Sequence, residues 1–321
     1  MKRLIAAVLF ALSTFGEHAV AQSFPDRTIT LINPYAAGGP ADLLARTVAD
    51  GMSEILGRPV VVENRPGAGT AIGARAVAQA NPDGYTLFLG GSPSHVITPA
   101  LMKDANYDGI KDFTPIATVA NVPNMLVVPP GRPYKSVKEL VAAAKDANGK
   151  MTFASIGVGS IPQFLGVLFQ LRAGLTLVDV PYKGAAPASV DLLGGRIDMA
   201  FLNVPGVLPQ VQSGQLRGLA VANAARAKAL PDMPTMAEAG YPSVAMSTWY
   251  GISAPAKTPR EVVDRLYAAI AQTLNSPKAK AKIEAQGAEI FVKNSDDYAV
   301  YLQADAKLML ELIKAAHLTA N

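Results

Sequence analysis

The chain has 321 residues, of which 50% are hydrophobic and 17% are charged, and its formal net charge is +4. This length and composition are typical of a folded protein of about two domains, not of a disordered chain. The sequence contains no cysteine, so disulfide scaffolds, zinc ribbons, iron–sulfur sites and thiol nucleophiles are excluded. The small net charge gives no indication of a nucleic-acid partner.

The amino terminus has the pattern of a secretory signal peptide. Lys2 and Arg3 precede an apolar run over residues 4–15, and a group of small residues ends at Ala21. The apolar run is shorter than the roughly 20 residues that a membrane-spanning helix needs. The alternative is a short buried first helix. We predict that residues 1–21 are cleaved off and that the mature protein lies in the periplasm without a membrane anchor.

Short apolar strands then alternate with helical patterns. β-branched runs predict strands at 28–32, 60–62 and 85–89, and apolar spacings of three and four predict helices at 43–52 and 73–80. Strands separated by helices in this way indicate a mostly parallel sheet with helices on both faces. The same alternation restarts in the second half of the chain, with predicted strands at 152–154, 175–180, 197–201 and 216–221.

Two extended segments are predicted to cross between domains. They cover 116–130 and 246–255, and the second contains the only tryptophan. A complete α/β unit lies between them, which indicates an inserted domain. We therefore predict an α/β protein of two lobes, one formed by 22–122 with 248–321 and the other by 123–247. In such a hinged arrangement the ligand is expected in the cleft between the lobes.

After the second crossing the chain is predicted to be helical. Residues 258–261 supply a threonine N-cap, a proline at the first helical position and a glutamate at the capping-box position. One face of the last predicted helix is formed by Tyr298, Tyr301, Leu302, Asp305, Leu308, Met309 and Leu312. Because this face is mostly apolar, we expect it to pack on the first lobe.

The sequence offers little for catalysis or for metal binding. The histidines at 18, 95 and 317 are isolated, and no HExxH, GxSxG or GxxxxGK[ST] motif occurs. Residues 67–73 resemble a dinucleotide fingerprint, but the third glycine is one position late. We therefore expect a tight strand-to-helix turn there. We predict no catalytic residue, no metal, no cofactor and no nucleic-acid partner.

Two loops of small residues have the pattern of an anion site. Residues 35–39 follow the first predicted strand, and residues 155–160 follow the first strand of the inserted domain. Each loop precedes a helix N-terminus, where backbone N–H groups lack partners and can donate hydrogen bonds to an anion. Neither loop contains Lys or Arg, so neutral donors would hold the anion, which suits a carboxylate better than a polyphosphate. The alternative is a pair of ordinary turns without a ligand.

Several further residues lie near these loops in the predicted topology. Asp42 is expected to orient the first loop, and Asn203 is expected to contact the distal end of a ligand. Lys183 is the one cation near a candidate loop, although most such lysines are solvated. The candidate ligand-binding residues are Tyr35, Ala36, Ala37, Gly38, Gly39, Ser92, Ser155, Val158, Gly159, Ser160, Gly184 and Asn203.

At these loops the sequence resembles the periplasmic solute receptors of tripartite tricarboxylate transporters, the Bug family. The matching segments are PYAAGGPADLLAR, VVENRPGAGTAIGA, NPDGYTL, VPYKGAAPASVDLLGGRIDMAF, SGQLRGLAVA and LPDMPTMAEAGYP. They run along nearly the whole mature chain. The resemblance implies the two-lobed Venus-flytrap fold of periplasmic binding proteins. It also implies that an organic acid is held by its carboxylate between one loop of each lobe, partly through ordered water, and is delivered to a membrane permease.

The resemblance assigns roles to individual positions. It makes residues 35–39 the clamp of the first lobe and residues 155–160 the clamp of the second, with Ser92 as an added contact. Two positions depart from the family pattern. In the family, the second loop usually continues with a serine or threonine and a histidine, whereas here Ser160 is followed by Ile161-Pro162-Gln163. The segment Ser92-Pro93-Ser94 is also uncommon in the family at its position. These positions would face the far end of the ligand, so they leave its identity open.

Other functions stay open at this point. An exported hydrolase or isomerase would need a base near a nucleophile, and the sequence offers isolated serines and His95. A sensory protein that presents its ligand to a membrane kinase would show the same features. Our leading prediction is a monomeric receptor, not an enzyme, for a small mono- or dicarboxylate of aliphatic, aromatic or amino-acid-like character.

Overall fold

The computed structural model describes residues 24–156, 159–182 and 184–315. The predicted signal peptide lies outside these residues, so its cleavage stays a prediction. Within the described ranges, no helix is both long enough and apolar enough to cross a membrane.

The strands form two separate sheets. In chain order the strands are β1 (Ile29–Asn33), β2 (Val60–Asn64), β3 (Thr86–Gly90), β4 (Phe113–Val122), β5 (Asn124–Val128), β6 (Thr152–Ser155), β7 (Val178–Pro181), β8 (Met199–Asn203), β9 (Arg217–Val221), β10 (Thr248–Pro255) and β11 (Glu289–Ile290). The first sheet has the order β11-β4-β10-β3-β1-β2, and the second has the order β7-β6-β8-β5-β9. Each sheet is the centre of one lobe.

Helices cover both faces of each sheet. In chain order they are α1 (Pro40–Leu56), α2 (Ala71–Ala78), α3 (Thr98–Leu101), α4 (Val137–Asp146), α5 (Ile161–Ala173), α6 (Ala185–Leu193), α7 (Val204–Gln212), α8 (Arg260–Asn275), α9 (Pro277–Ala285) and α10 (Ser295–Ala315). On the first sheet, α1 and α8 pack on one face and α2 packs on the other. On the second sheet, α4 and α5 lie opposite α6 and α7.

Parallel pairing is confined to three strands in each sheet. β1 pairs with β2 and β3, and β6 pairs with β7 and β8. β4 and β9 nevertheless run in the same direction as the parallel strands. The predicted mostly parallel sheets therefore hold apart from the short β11 and from β10 and β5, which run antiparallel to their neighbours. β10 and β5 enter their lobe from the other lobe. They therefore start at the edge where the parallel strands end, and run in the opposite direction.

This topology places a crevice at the carboxyl end of one central strand in each lobe. β1 lies between β2 and β3, and β6 lies between β7 and β8. The chain therefore leaves each central strand toward one side and later returns on its other side. Ligands of open α/β sheets bind at such switch points. The two loops that the sequence singles out begin at these two crevices.

The last helix connects the lobes. α10 packs on β4 of the first lobe and on α5 of the second, and Arg172 of α5 pairs with Glu311 at 3.5 Å. Its buried residues Leu302 and Met309 share a core cluster with Phe164 of α5. The prediction that this helix packs on the first lobe therefore covers only half of its contacts.

Two local predictions can be compared with the structure. The turn over 67–73 is confirmed as tight, since a Cβ atom at Gly73 would lie 3.1 Å from Arg65 O. The start of α8 differs from the prediction. The Thr258 hydroxyl donates to Pro255 O at 2.8 Å, and Pro259 precedes the helix without a side-chain cap. Thr258 thus closes the turn before the helix instead of capping it.

Candidate ligand-binding site

The first clamp, residues 35–39, is an exposed loop between β1 and α1. Gly38 has φ +80°, and its N–H donates to Asp42 Oδ2 at 2.9 Å. Among the described residues, no acceptor receives the N–H groups of Ala36, Ala37 or Gly39. These three donors are therefore available to a ligand.

Asp42 fixes the conformation of the first clamp, which confirms its predicted orienting role. Besides Gly38 N–H, the carboxylate accepts Arg46 Nε at 3.0 Å and Asn64 Nδ2 at 2.9 Å. Asn64 Nδ2 also donates to Tyr35 O at 3.1 Å, so both ends of the loop are held. Burial raises the pKa of Asp42, but the hydrogen bonds from Arg46, Gly38 and Asn64 outweigh it and lower the pKa to about 2.

We expect Asp42→Asn to destabilise the protein by about 2 kcal/mol at pH 7, because the depressed pKa means that folding favours the charged form. This stability is present above the unfolded pKa near 4 and is lost as the pH falls toward 2. Chemical unfolding at pH 7 and pH 3 measures it. Asp50→Asn, at an exposed position of the same helix, is the control. Equal effects of the two variants would contradict the role of Asp42.

In the second clamp, residues 155–160, the described residues show a similar support. Gly159 has φ +78°, and its N–H donates to Gln163 Oε1 at 2.9 Å. Gln163 Nε2 donates in turn to Asp179 Oδ2 at 3.0 Å, and Ser160 Oγ accepts Gln163 N–H at 3.4 Å. Val158 lies outside the described residues, so its contact with a ligand stays a prediction.

A shared device therefore fixes both clamps. In each, a left-handed glycine donates to a side chain four residues later, in the first turn of the following helix. The sequence predicted this supporting side chain in the first clamp, where it is Asp42, but not in the second, where it is Gln163. The signal was the same spacing, Gly38 to Asp42 and Gly159 to Gln163.

Ser155, at the carboxyl end of β6, has a buried hydroxyl. Its residue is fully buried, and among the described residues its Oγ has no hydrogen-bond partner. A buried polar group without a partner is costly. The Ser155 hydroxyl is therefore suited to a ligand oxygen or to an ordered water.

The second clamp touches the first lobe directly. A Cβ atom at Gly159 would lie 2.8 Å from Ile97 Cγ2 and 3.8 Å from Leu101 Cδ1. Ile97 and Leu101 both follow β3 in the first lobe. The structure thus brings one of the two predicted loops against the opposite lobe.

Ser92 is placed on the hinge side of the first lobe. It is 2% exposed, and its hydroxyl and the Trp249 indole N–H both face the Asp305 carboxylate on α10, without a hydrogen bond of regular geometry. Burial raises the pKa of Asp305 to about 6, although Ser92 and Trp249 oppose this shift. The structure therefore joins Ser92 to the last helix, a contact that sequence reasoning missed.

Asn203 lines the interlobe cavity from the second lobe, and Gly184 directly precedes Ala185, which also lines it. Asn203 Nδ2 donates to Asn124 Oδ1 and to Thr248 Oγ1, both at 3.2 Å. Both amide hydrogens are thus used between the crossing strands, which leaves the Asn203 carbonyl oxygen as its free group. Gly184 has φ +118° and precedes α6, and Lys183 lies outside the described residues.

A cavity of about 240 Å³ lies between the lobes beside the first clamp. Pro40, which directly follows the clamp, lines it together with Tyr250 from the first lobe and Asn203 from the second. The Tyr250 ring packs edge-on against Tyr35, with 6.2 Å between centroids. Asn203 and the residue that follows the first clamp therefore line one interlobe space.

A family model described as "Tripartite tricarboxylate transporter family receptor" matches residues 44–318. The chain belongs to this receptor family. The match covers parts of both lobes, from α1 to the end of the described residues.

Individual members of the receptor family resemble the chain over most of its length. Protein BugT of Bordetella pertussis is 38% identical over 299 residues, which cover 92% of each chain. The structure of R. palustris Rpa4515 with adipate is 33% identical, covers 93% of this chain and 100% of that chain, and gives a TM-score of 0.77. The structure of MatC (Rpa3494) from Rhodopseudomonas palustris with bound malate is 30% identical, covers 90% and 100%, and gives 0.73. The predicted two-lobed α/β fold of periplasmic binding proteins is confirmed.

The histidine that an enzyme on this receptor fold would need is buried among aromatic side chains. His95 is 1% exposed, its Nδ1 is 2.7 Å from Gly109 O, and its ring packs among Phe88, Phe113 and Trp249. Burial lowers the pKa of His95 to about 4, against the hydrogen bond to Gly109. Its environment is that of a core residue.

Proposed function

We propose that the chain is a periplasmic receptor that binds a small organic acid between its lobes and delivers it to the membrane permease of a tripartite tricarboxylate transporter. The observation that carries this proposal is the pair of equivalent clamps at the carboxyl ends of β1 and β6. Each pins one glycine N–H internally, and the first leaves three neighbouring N–H groups without an acceptor among the described residues. Adipate and malate, bound in the two R. palustris relatives, are both carboxylates.

The chemistry of the clamps favours a carboxylate. Such a group accepts several N–H donors at once, and each hydrogen bond to a charged group contributes roughly 1.5–3 kcal/mol. Four or five such bonds, less the cost of ordering, reach the roughly 8 kcal/mol of a micromolar complex. Because a ligand held by both clamps binds the closed form more tightly than the open form, it shifts the lobes toward closure.

The proposed ligand contacts are the backbone groups of the two clamps, with Val158 among them, and the Ser155 hydroxyl. Gly184 and Asn203 are proposed to border the rest of the ligand. Ser92 also remains a proposed ligand contact. Because its hydroxyl faces Asp305, we propose that the contact is made by the loop that begins at Ser92.

We also propose that the mature protein begins at Gln22, that it is a monomer and that it has no enzymatic activity. Its lobes are proposed to be 22–122 with 248–321, and 123–247. The strands of the two sheets fall within these ranges, and the buried position of His95 supports a receptor over an enzyme.

Calorimetry of the mature protein against a panel of mono- and dicarboxylates tests the proposed function. We expect at least one member of the panel to bind with a dissociation constant in the micromolar range or below, to raise Tm, and to be recovered unchanged after incubation. A thorough panel without heat or thermal shift would count against a carboxylate receptor. Chemical turnover of a bound acid would favour an exported enzyme.

A further inference from the structure

We propose that the acid is a monocarboxylate whose remaining part is an uncharged aliphatic or aromatic group, and not a dicarboxylate. This inference rests on the proposed carboxylate site at the clamps and extends it to the far end of the ligand. Its basis is the shape and the chemistry of the interlobe cavity.

The cavity begins directly beside the first clamp. Its wall begins at Pro40, the residue after the first clamp, and includes Ala185, the residue after Gly184. A ligand whose carboxylate is bound at the clamps therefore has this space for its other end. The volume of about 240 Å³ is enough for a phenyl ring or a short alkyl chain, because an apolar cavity of about 150 Å³ holds benzene.

The walls of the cavity are apolar. Leu44 and Val122 come from the first lobe, and Leu202 and Val207 from the second, and all four are at most 9% exposed. Tyr250 completes the wall, and burial raises its pKa to about 12, so its side chain is neutral at physiological pH. An apolar part of the ligand that is bound here is removed from water, and this burial increases the affinity.

The polar side chains that line the cavity are neutral, and two of them already donate hydrogen bonds within the protein. Asn203 donates its amide hydrogens to Asn124 and Thr248, and Gln286 Nε2 donates to Lys282 O at 3.0 Å. None of the described residues that line the cavity carries a charge. The nearby ions Asp42 and Arg46 pair with each other at 3.0 Å. Among the described lining residues, a second carboxylate in this cavity would therefore lose its hydration without gaining a cation, which disfavours dicarboxylates.

Acids of matched length with one or two carboxylates test the inference. We expect the mature protein to bind hexanoate and 3-phenylpropanoate at least about tenfold more tightly than adipate and 4-(2-carboxyethyl)benzoate in calorimetry at pH 7. Equal or tighter binding of the diacids would overturn the inference and leave the carboxylate receptor standing. Loss of that diacid binding in Lys183→Gln would identify the cation responsible. If neither class binds, the proposed function itself fails.

Gly206 offers a second test that does not disturb the core. It lines the cavity at the start of α7, is exposed, and a Cβ atom there would meet nothing within 4 Å. We expect Gly206→Lys to raise the affinity for adipate at least about tenfold and to lower the affinity for hexanoate, because it supplies the missing cation. Gly206→Gln, of similar length but neutral, should leave the preference for hexanoate unchanged. If Gly206→Lys leaves both affinities unchanged, the cavity does not hold the far end of the ligand.

Discussion

Replacing Gly159 with valine is expected to abolish ligand binding, with at least about a hundredfold loss of affinity, while both lobes stay folded. The φ of +78° strains any residue with a side chain. A Cβ atom there would also lie 2.8 Å from Ile97 Cγ2, so valine must push the second clamp away from the first lobe. The hydrogen bond from Gly159 N–H to Gln163 would be lost with it. Calorimetry measures the affinity, and circular dichroism measures the fold.

Two other glycines separate the possible causes of such a loss. Gly174 has φ +62° with nothing within 4 Å of a Cβ atom, and it ends α5, about 20 Å from the second clamp by helix geometry. Gly174→Val should therefore lower stability alone and keep full affinity. Gly38→Val, at φ +80° with equal space, should weaken binding strongly, because its side chain blocks the approach of a ligand to the first clamp. If both clamp variants bind as wild type does, the site lies elsewhere.

The strands and helices of the two lobes could be predicted because each is encoded by its own residues. The run at 28–32 corresponds to β1 at Ile29–Asn33, and the run at 85–89 corresponds to β3 at Thr86–Gly90. The direction of β5 and β10 could not be predicted in this way. The direction of each strand depends on the lobe from which the chain arrives. An apolar run predicts a strand but does not indicate its direction within the sheet.

The clamps were predictable as loops, but their supports were only partly so. Asp42 and Gln163 lie four residues from the glycines that they hold, within reach of a sequence pattern. Asn64 reaches Asp42 because β1 and β2 pair in a register that sets Asn33 beside Asn64. That contact is tertiary, and no local spacing carries it.

The orientation of Ser92 depends on structure that the sequence does not show. A single π-type turn over Pro93–Ile97 follows it, and the hydroxyl of Ser92 is turned toward α10. The sequence indicated that Asp305 interrupts an apolar helix face, but not that this carboxylate meets Ser92 and Trp249. Contacts between segments more than 50 residues apart require the assembled fold.

Asp305→Asn is expected to stabilise the protein by about 2 kcal/mol at pH 7.5, which corresponds to a Tm rise of about 3 °C for a chain of this size. Burial raises the pKa of this carboxyl to about 6, and among the described residues it forms no ion pair. An ionised carboxylate in this position therefore opposes folding. Asparagine keeps the shape of the side chain and removes the charge. Glu311→Gln, at an exposed position of the same helix, should change stability by less than about 1 kcal/mol.

The pH dependence of the stability difference distinguishes the removal of a charge at Asp305 from a change in packing. Because the folded pKa lies above the unfolded value near 4, the neutral carboxyl favours folding below pH 4, and this contribution is lost as the pH rises through about 6. The advantage of Asp305→Asn should therefore be absent at pH 4, grow between pH 4 and 6, and stay constant above pH 6. Thermal unfolding of both proteins across this range measures the difference. A constant difference at every pH would show that folding does not shift the pKa of Asp305 and that asparagine acts through packing alone.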